Sequence, residues 1–341
     1  MEKTRILSID IAKAICIILV AAGHFVPDYS PQWYVVMSDV LHAFRMPFFL
    51  FISGYLHWAT RKPVGYKAFI WKKFQRLMIP YFFVSLVIIA IKLLTGDGLS
   101  LDHPVTYSAF YEMFYLPVAG YFLWFVFALF LMFLIVPFFN TGKRLPFLLL
   151  LALGMFFIPW SLPDAFCLAQ FQVNLLYFAL GCAFAEWFDI NKFLHKMYFL
   201  PVLILFAGLY VLKVHSEPAA VKKLMELSAA AVGFILVLKI STAIEWRSVA
   251  AKKALLFVSA CSYTIYLFHT TFEGFSKTIL SKIAFFTTTN HPAVFLLIVL
   301  MVVSAGVIVP VILHEIIIRH SKLFSFLIGT PYAGKKNAHP A

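Results

Sequence analysis

Lys13 and His24 stand eleven residues apart in the apolar segment DIAKAICIILVAAGHF, with Asp10 three residues ahead of Lys13. At about 100° per residue, both side chains fall on one helix face, roughly 16 Å apart along the axis, with Asp10 within about 40° of the same line. An apolar helix has no structural use for a carboxylate, an ammonium and an imidazole on one stripe. Ionisable groups at membrane depth are costly and mark substrate or proton paths. An imidazole there can act as a general base towards a hydroxyl or take up an acyl group itself. Asp10 can equally pair with Lys13, a contact available at a three-residue helical spacing.

The elements that must position these groups follow from composition. With 62% hydrophobic and 13% charged residues, the chain is far more apolar than a soluble domain. Several segments approach the roughly 20 residues that cross a bilayer. The hydropathy pattern predicts an all-α polytopic membrane protein, one domain over residues 1–341. About ten transmembrane helices are expected, near 8–26, 39–58, 77–95, 121–139, 146–160, 171–188, 199–213, 224–240, 255–272 and 293–315. The formal net charge is +13, yet the basic residues cluster in short loops, a mark of membrane topology and not of nucleic-acid binding. Of the 28 Lys and Arg, twenty fall on the side of the N-terminus and five on the other, with Lys13, Arg45 and Lys92 at membrane depth. That asymmetry places both termini in the cytoplasm, with a cytoplasmic tail from about residue 320 to 341. Lys92, near a helix end, can snorkel outward. Cys16, Cys167, Cys182 and Cys261 occur singly in or beside apolar stretches and read as small hydrophobes, with no metal site expected. Asp10 and Lys13 interrupt what would otherwise be the core of a cleavable signal peptide.

Orientation turns sequence position into depth. The first helix carries Asp10 and Lys13 low and His24 near its outer end. The second descends, putting His42 and Arg45 in its outer third, and the ninth rises to His269. These four groups are expected to share one outer layer, since each needs a polar partner or a wet cavity. Lys72, Lys73, Arg76 and Lys13 form a lower basic layer. The segment 61–76, basic and studded with aromatics, also reads as an interfacial stretch touching anionic lipid. The loop 96–120, with Asp97, Asp102, His103 and Glu112 and no Lys or Arg, is the longest outer connection and could cover an outer mouth. A basic mouth, a polar layer and a path of about 16 Å suit a ligand with an anionic head and a long thin arm. Coenzyme A thioesters have that shape, their phosphates held by Lys and Arg.

RILSIDIAKAICIILVAAGH resembles the opening helix of the acyltransferase-3 family of bacterial membrane acyltransferases, with its basic residue, ten-residue gap and histidine at Lys13 and His24. The likeness is to its fucose 4-O-acetylase-like, exopolysaccharide-modifying branch. FRMPFFLFISGYL resembles the family's second helix, with Pro47, Ser53 and Gly54 in place. Lys73-Phe74-Gln75-Arg76 resembles its basic pair before helix three, where the family favours Arg at both positions. FLWFVFALF around Trp124, SYTIYLFH ending at His269 and HEIIIRHSKLFSFLIG resemble later landmarks, so the likeness runs nearly the whole chain. The resemblance implies a ten-helix O-acyltransferase in the bacterial cytoplasmic membrane. It would move an acetyl or other short acyl group from cytoplasmic acyl-CoA, as co-substrate and with no bound cofactor, to a carbohydrate hydroxyl. The acceptor would be an envelope polysaccharide or lipid-linked glycan such as exopolysaccharide, capsule or lipopolysaccharide, with polysaccharide-biosynthesis machinery as partner. It assigns the essential imidazole to His24, its required basic partner to Lys13, and donor binding to the pair Lys73 and Arg76.

Reading the remaining residues on their own chemistry, Arg45 must face something anionic or carbonyl-rich, either a substrate thioester or the protein itself. His42 and His269 fit acceptor contact or packing. Trp124 fits packing or a sugar-facing ring. Ser53 and Gly54 fit close helix approach, and Glu315 and Arg319 fit an i,i+4 pair. A polysaccharide exporter or flippase would use similar aromatics and buried histidines, but the chain has no pair of Gly/Pro-broken helices in matching halves.

Overall fold

The computed structural model describes residues 6–96, 104–216, 218–283, 286 and 291–334, and among these every regular element is helical. Lys3, Arg5, Asp97, Asp102, His103, Lys335 and Lys336 lie outside the described residues. The helices are α1 (Leu7–Ala22), α2 (Gln32–Thr60), α3 (Tyr66–Thr95), α4 (Ala109–Glu112), α5 (Trp124–Ile135), α6 (Leu145–Phe157) and α7 (Leu168–Trp187). They continue as α8 (Ile190–His195), α9 (Phe199–His215), α10 (Ala219–Arg247), α11 (Val249–Leu280), α12 (Pro292–Ile316) and α13 (Lys322–Ile328). Each of the ten expected segments overlaps a helix, with 23–26, 158–160 and Phe188 falling outside. Among the described residues, seven helical segments are long and apolar enough to cross a membrane, including Tyr121–Phe139, where 3-10 turns extend α5. The other three are α6, α9 and the 16-residue α1.

The central element is α1, which packs against α2, α10, α11 and α12. Ile11, Ala12, Ala14, Cys16 and Ala21 are fully enclosed. Their small or apolar side chains let the neighbours close on α1 from several sides. The helix stops at Ala22, earlier than the expected 26, with Gly23 as its C-cap. His24 therefore sits in the turn that follows, its amide donating to the Ala21 carbonyl at 3.0 Å.

The largest helix-to-helix contact joins α2 and α7, and two glycines explain it. A Cβ on Gly54 would meet the backbone carbonyl of Phe178, and one on Gly181 would meet the carbonyl of Phe51 and lie 2.8 Å from the Tyr55 nitrogen. Small residues that let backbones approach are how apolar helices gain packing energy in lipid, where burial from water drives nothing. The reading of Gly54 as a packing residue holds, while the Ser53 hydroxyl donates to the Phe49 carbonyl at 2.7 Å within its own helix.

Two expectations need correction. Residues 66–76 of the basic segment are the first turns of α3 and not a loop before it, because α3 begins at Tyr66. Lys92 does not reach outward: it is 9% exposed and walls an internal cavity, since α3 continues to Thr95 and keeps it one turn inside the helix end. The chain after residue 320 also folds back. There α13 packs on α3, and Gly329, in the left-handed region at φ 70°, abuts the Arg76 backbone closely enough that a Cβ would lie 2.6 Å from its carbonyl oxygen. Glu315 and Arg319 form the expected ion pair.

Candidate active site

The polar groups of the outer layer meet at the far end of the bundle from the basic residues. The His24 ring lies 5.0 Å from that of His269, between centroids, and Phe122 stands against both at 6.5 Å and 5.3 Å. His269 is fully buried on α11. Its Nδ1 faces the carbonyls of Tyr266 at 2.8 Å and Ile265 at 3.2 Å. Two carbonyls can only accept, so Nδ1 carries a proton, and in the neutral ring Nε2 is left as the acceptor.

Arg45 faces carbonyls. Its guanidinium donates to Leu19 at 3.2 Å and Gly23 at 3.3 Å, and lies 3.1 Å from His42 Nδ1. These are last-turn carbonyls of α1, the end of a helix that carries unsatisfied acceptors and partial negative charge. Arg45 thus clamps the residue before His24, and a Cβ on Gly23 would run into the guanidinium. These carbonyls are one of the two kinds of partner the sequence reading allowed for Arg45. Glu273, 2% exposed, lies near enough for its charge to act on Arg45 and Tyr34 and packs over Gly306 of α12.

His24 walls a cavity of about 710 Å³ with Lys92, Glu112, Phe122, Asp164, Glu273 and Lys277 among its lining. Residues 104–120 wall one side of it. At the basic end, a second cavity of about 720 Å³ is walled by Arg61, Lys62, Lys72, Lys73 and Arg76. The Lys73 ammonium lies 3.5 Å over the Phe133 ring, a cation–π contact. A third cavity of about 240 Å³ runs inward with mostly apolar walls and includes Lys13, Arg76 and Tyr266. It shares Ser53, Leu56, Arg76, Leu77 and Leu129 with the basic one, so the two adjoin. Lys13 pairs with Asp10 at 2.9 Å.

Tyr266 and Phe122 stand between the inward channel and the His24 chamber. Tyr266 walls the channel, Phe122 walls the chamber, and the Tyr266 hydroxyl donates to the Phe122 carbonyl. Trp124 packs edge-on against Phe125 at 6.0 Å and walls none of these three cavities. Glu273, Lys277, Tyr266 and Phe122 were not singled out from the sequence as site residues. The spacing His269, Glu273, Lys277 is i, i+4, i+8 on one helix face, a signal that was legible. Cys261, read as a small hydrophobe, has its sulfur near His314 and Glu315, the donor atoms all within 4.8 Å. Thr264 holds His314 at 2.9 Å and Arg319 holds Glu315.

A helical bundle with long apolar helices, buried ionisable groups and cavities at both ends is a multi-pass membrane protein built around an internal polar site. Residues 6–310 match the family model of the acyltransferase-3 type, described as an acyltransferase domain, and the chain belongs to that family of membrane acyltransferases. No curated protein and no solved structure matches it.

Proposed function

We propose that the protein transfers an acetyl or other short acyl group from cytoplasmic acyl-CoA to a hydroxyl of a cell-envelope polysaccharide or lipid-linked glycan, in a bacterial cytoplasmic membrane. The observation that carries this reading is the order of the cavities: a basic one, a narrow one sharing a wall with it, and the His24 chamber beyond the Tyr266–Phe122 partition. A basic mouth narrows past Arg76 and Lys13 to Tyr266, and His24 waits on the far side of Phe122. The donor phosphates fit Arg61, Lys72, Lys73 and Arg76. The narrow apolar channel fits the pantetheine arm, whose thioester would arrive at the Tyr266–Phe122 partition.

The acceptor hydroxyl in the outer chamber attacks the thioester carbonyl. As the new ester C–O bond forms, His24 takes the hydroxyl proton. The C–S bond then breaks, and the coenzyme A thiolate leaves towards the basic mouth, taking up a proton there. Arg45 and His269 act by holding the His24 turn and ring, and Lys13, paired with Asp10, places a positive charge along the donor arm.

The test uses protein reconstituted in lipid, labelled acetyl-CoA and extracted envelope polysaccharide, beside His24→Ala. Label should move to the polysaccharide with the native protein and not with the variant. Equal labelling by both would remove His24 from the chemistry, and movement of polysaccharide without acylation would replace the enzyme by an exporter.

A further inference from the structure

Beside the His24 chamber lies an apolar groove of about 570 Å³, walled by Phe25, Leu280, Phe295, Ile298 and Val302. It is cut into a small hydrophobic cluster separate from the main core. Among the described residues, Lys277 is the one wall residue that the groove and the chamber have in common, and its ammonium lies 5.5 Å over the Phe25 ring. The consecutive residues His24 and Phe25 thus face the two compartments, with Lys277 at their junction. One turn before Lys277 on the same helix is Glu273, and Lys92, Glu112 and Asp164 are the other charged groups walling the chamber.

The groove is positioned to receive something from the bilayer. Its outer helix, α12, is the least enclosed of the long helices, with 22% of its apolar window buried. At the groove mouth, Tyr29 and Trp33, 66% and 48% exposed, pack edge-on around Phe295 at 6.3 Å each. Exposed aromatic rings of this kind sit at the headgroup level of a bilayer. An ammonium at that level, between an apolar groove and a polar chamber, is placed for a phosphate that joins an apolar chain to a polar group.

We infer that the acceptor is a lipid-linked glycan, its hydrocarbon chain lying in the Phe25–Phe295–Val302 groove, its phosphate at Lys277 and its sugar at His24. This rests on the acyl-transfer reading of the chamber, and it selects the membrane-bound precursor over the finished polymer.

A prenyl monophosphate bearing a diazirine in its chain would be photolysed with the full-length protein in phosphatidylcholine nanodiscs, and the adducts mapped by mass spectrometry. Labelling is expected within residues 277–281 or 291–302, competed by unlabelled prenyl phosphate and not by equal phosphatidylglycerol or inorganic phosphate. Lys277→Gln should lower labelling about tenfold, the scale of one charge-assisted contact. Val302→Trp should abolish it, with Phe295→Ala as the milder variant where the larger side chain disturbs folding. Labelling elsewhere, equal competition by phosphatidylglycerol, or indifference to both Lys277→Gln and Phe295→Ala would overturn the assignment. Acyl transfer measured on the same native protein separates the two readings: labelling without transfer leaves the groove standing and removes the transferase reading. Transfer to a tail-free glycan without labelling does the reverse.

Discussion

Replacing Arg45 by Met keeps the apolar stem of the side chain and removes the guanidinium. Three contacts go with it, to the carbonyls of Leu19 and Gly23 and to His42. Side-chain hydrogen bonds between membrane helices average about 0.6 kcal/mol, so the three together are worth about 2 kcal/mol. A carbonyl left buried without its donor adds about 1–3 kcal/mol. That loss falls on the turn carrying His24, since Gly23 is its neighbour, and a shift of about 1 Å in a reacting group costs about 100-fold in rate. Arg45→Met should therefore lower kcat for acyl transfer about 100-fold while the donor KM stays within about twofold, because nothing at the basic mouth is touched. Arg45→Lys should recover part of the rate, since a single ammonium reaches one carbonyl but cannot span two. Steady-state kinetics in lipid nanodiscs, with thermal unfolding to confirm folding, make the measurement. A folded Arg45→Met protein with native kcat, or with only the donor KM raised, would refute the clamp.

Gly181→Val drives a side chain into the Phe51 carbonyl and Tyr55 nitrogen; overpacking costs about 1–3 kcal/mol or more, and loss of the monodisperse peak on size exclusion is expected, a native profile counting against the α2–α7 contact. Arg76→Ala should raise the donor KM more than the acceptor KM, and an unchanged donor KM would remove the basic mouth from donor binding. Gly329→Val, strained at φ 70° and pressed on the Arg76 backbone, should shift the donor KM in the same direction by disturbing that support. Tyr266→Phe frees the Phe122 carbonyl and should lower kcat about tenfold, the equivalent of one hydrogen bond at the upper end of its usual worth; native kinetics would show the partition is not part of the transfer path.

The outer layer was legible because depth follows from hydropathy and loop charge alone. His24, His42, Arg45 and His269 were placed together without knowing which helices touch, and the contacts pair His24 with His269 and Arg45 with His42, Arg45 also holding Gly23 beside His24. The Asp10–Lys13 and Glu315–Arg319 pairs were legible for a simpler reason, since spacings of three and four residues on a helix fix the geometry locally. Lys92 was misplaced because its depth was judged from a helix end alone, whereas its surroundings are set by residues 104–120, far away in sequence. Glu273 and Lys277 went unremarked because their value lies in what α11 faces, not in their own segment.

The sequence alone determined that the chain is a helical membrane protein, that Asp10 and Lys13 share a helix face, and that basic residues gather at one end. Periodicity, hydropathy and charge asymmetry are properties of a segment and its immediate flanks, so they survive without knowledge of neighbours. Only the tertiary structure decided that Arg45 grips the end of α1 and that Tyr266 and Phe122 divide two chambers. It alone set an apolar groove against the His24 cavity at Lys277. Each of these depends on which helices approach one another and how closely, and that was settled by glycines and small side chains whose partners lie many residues away.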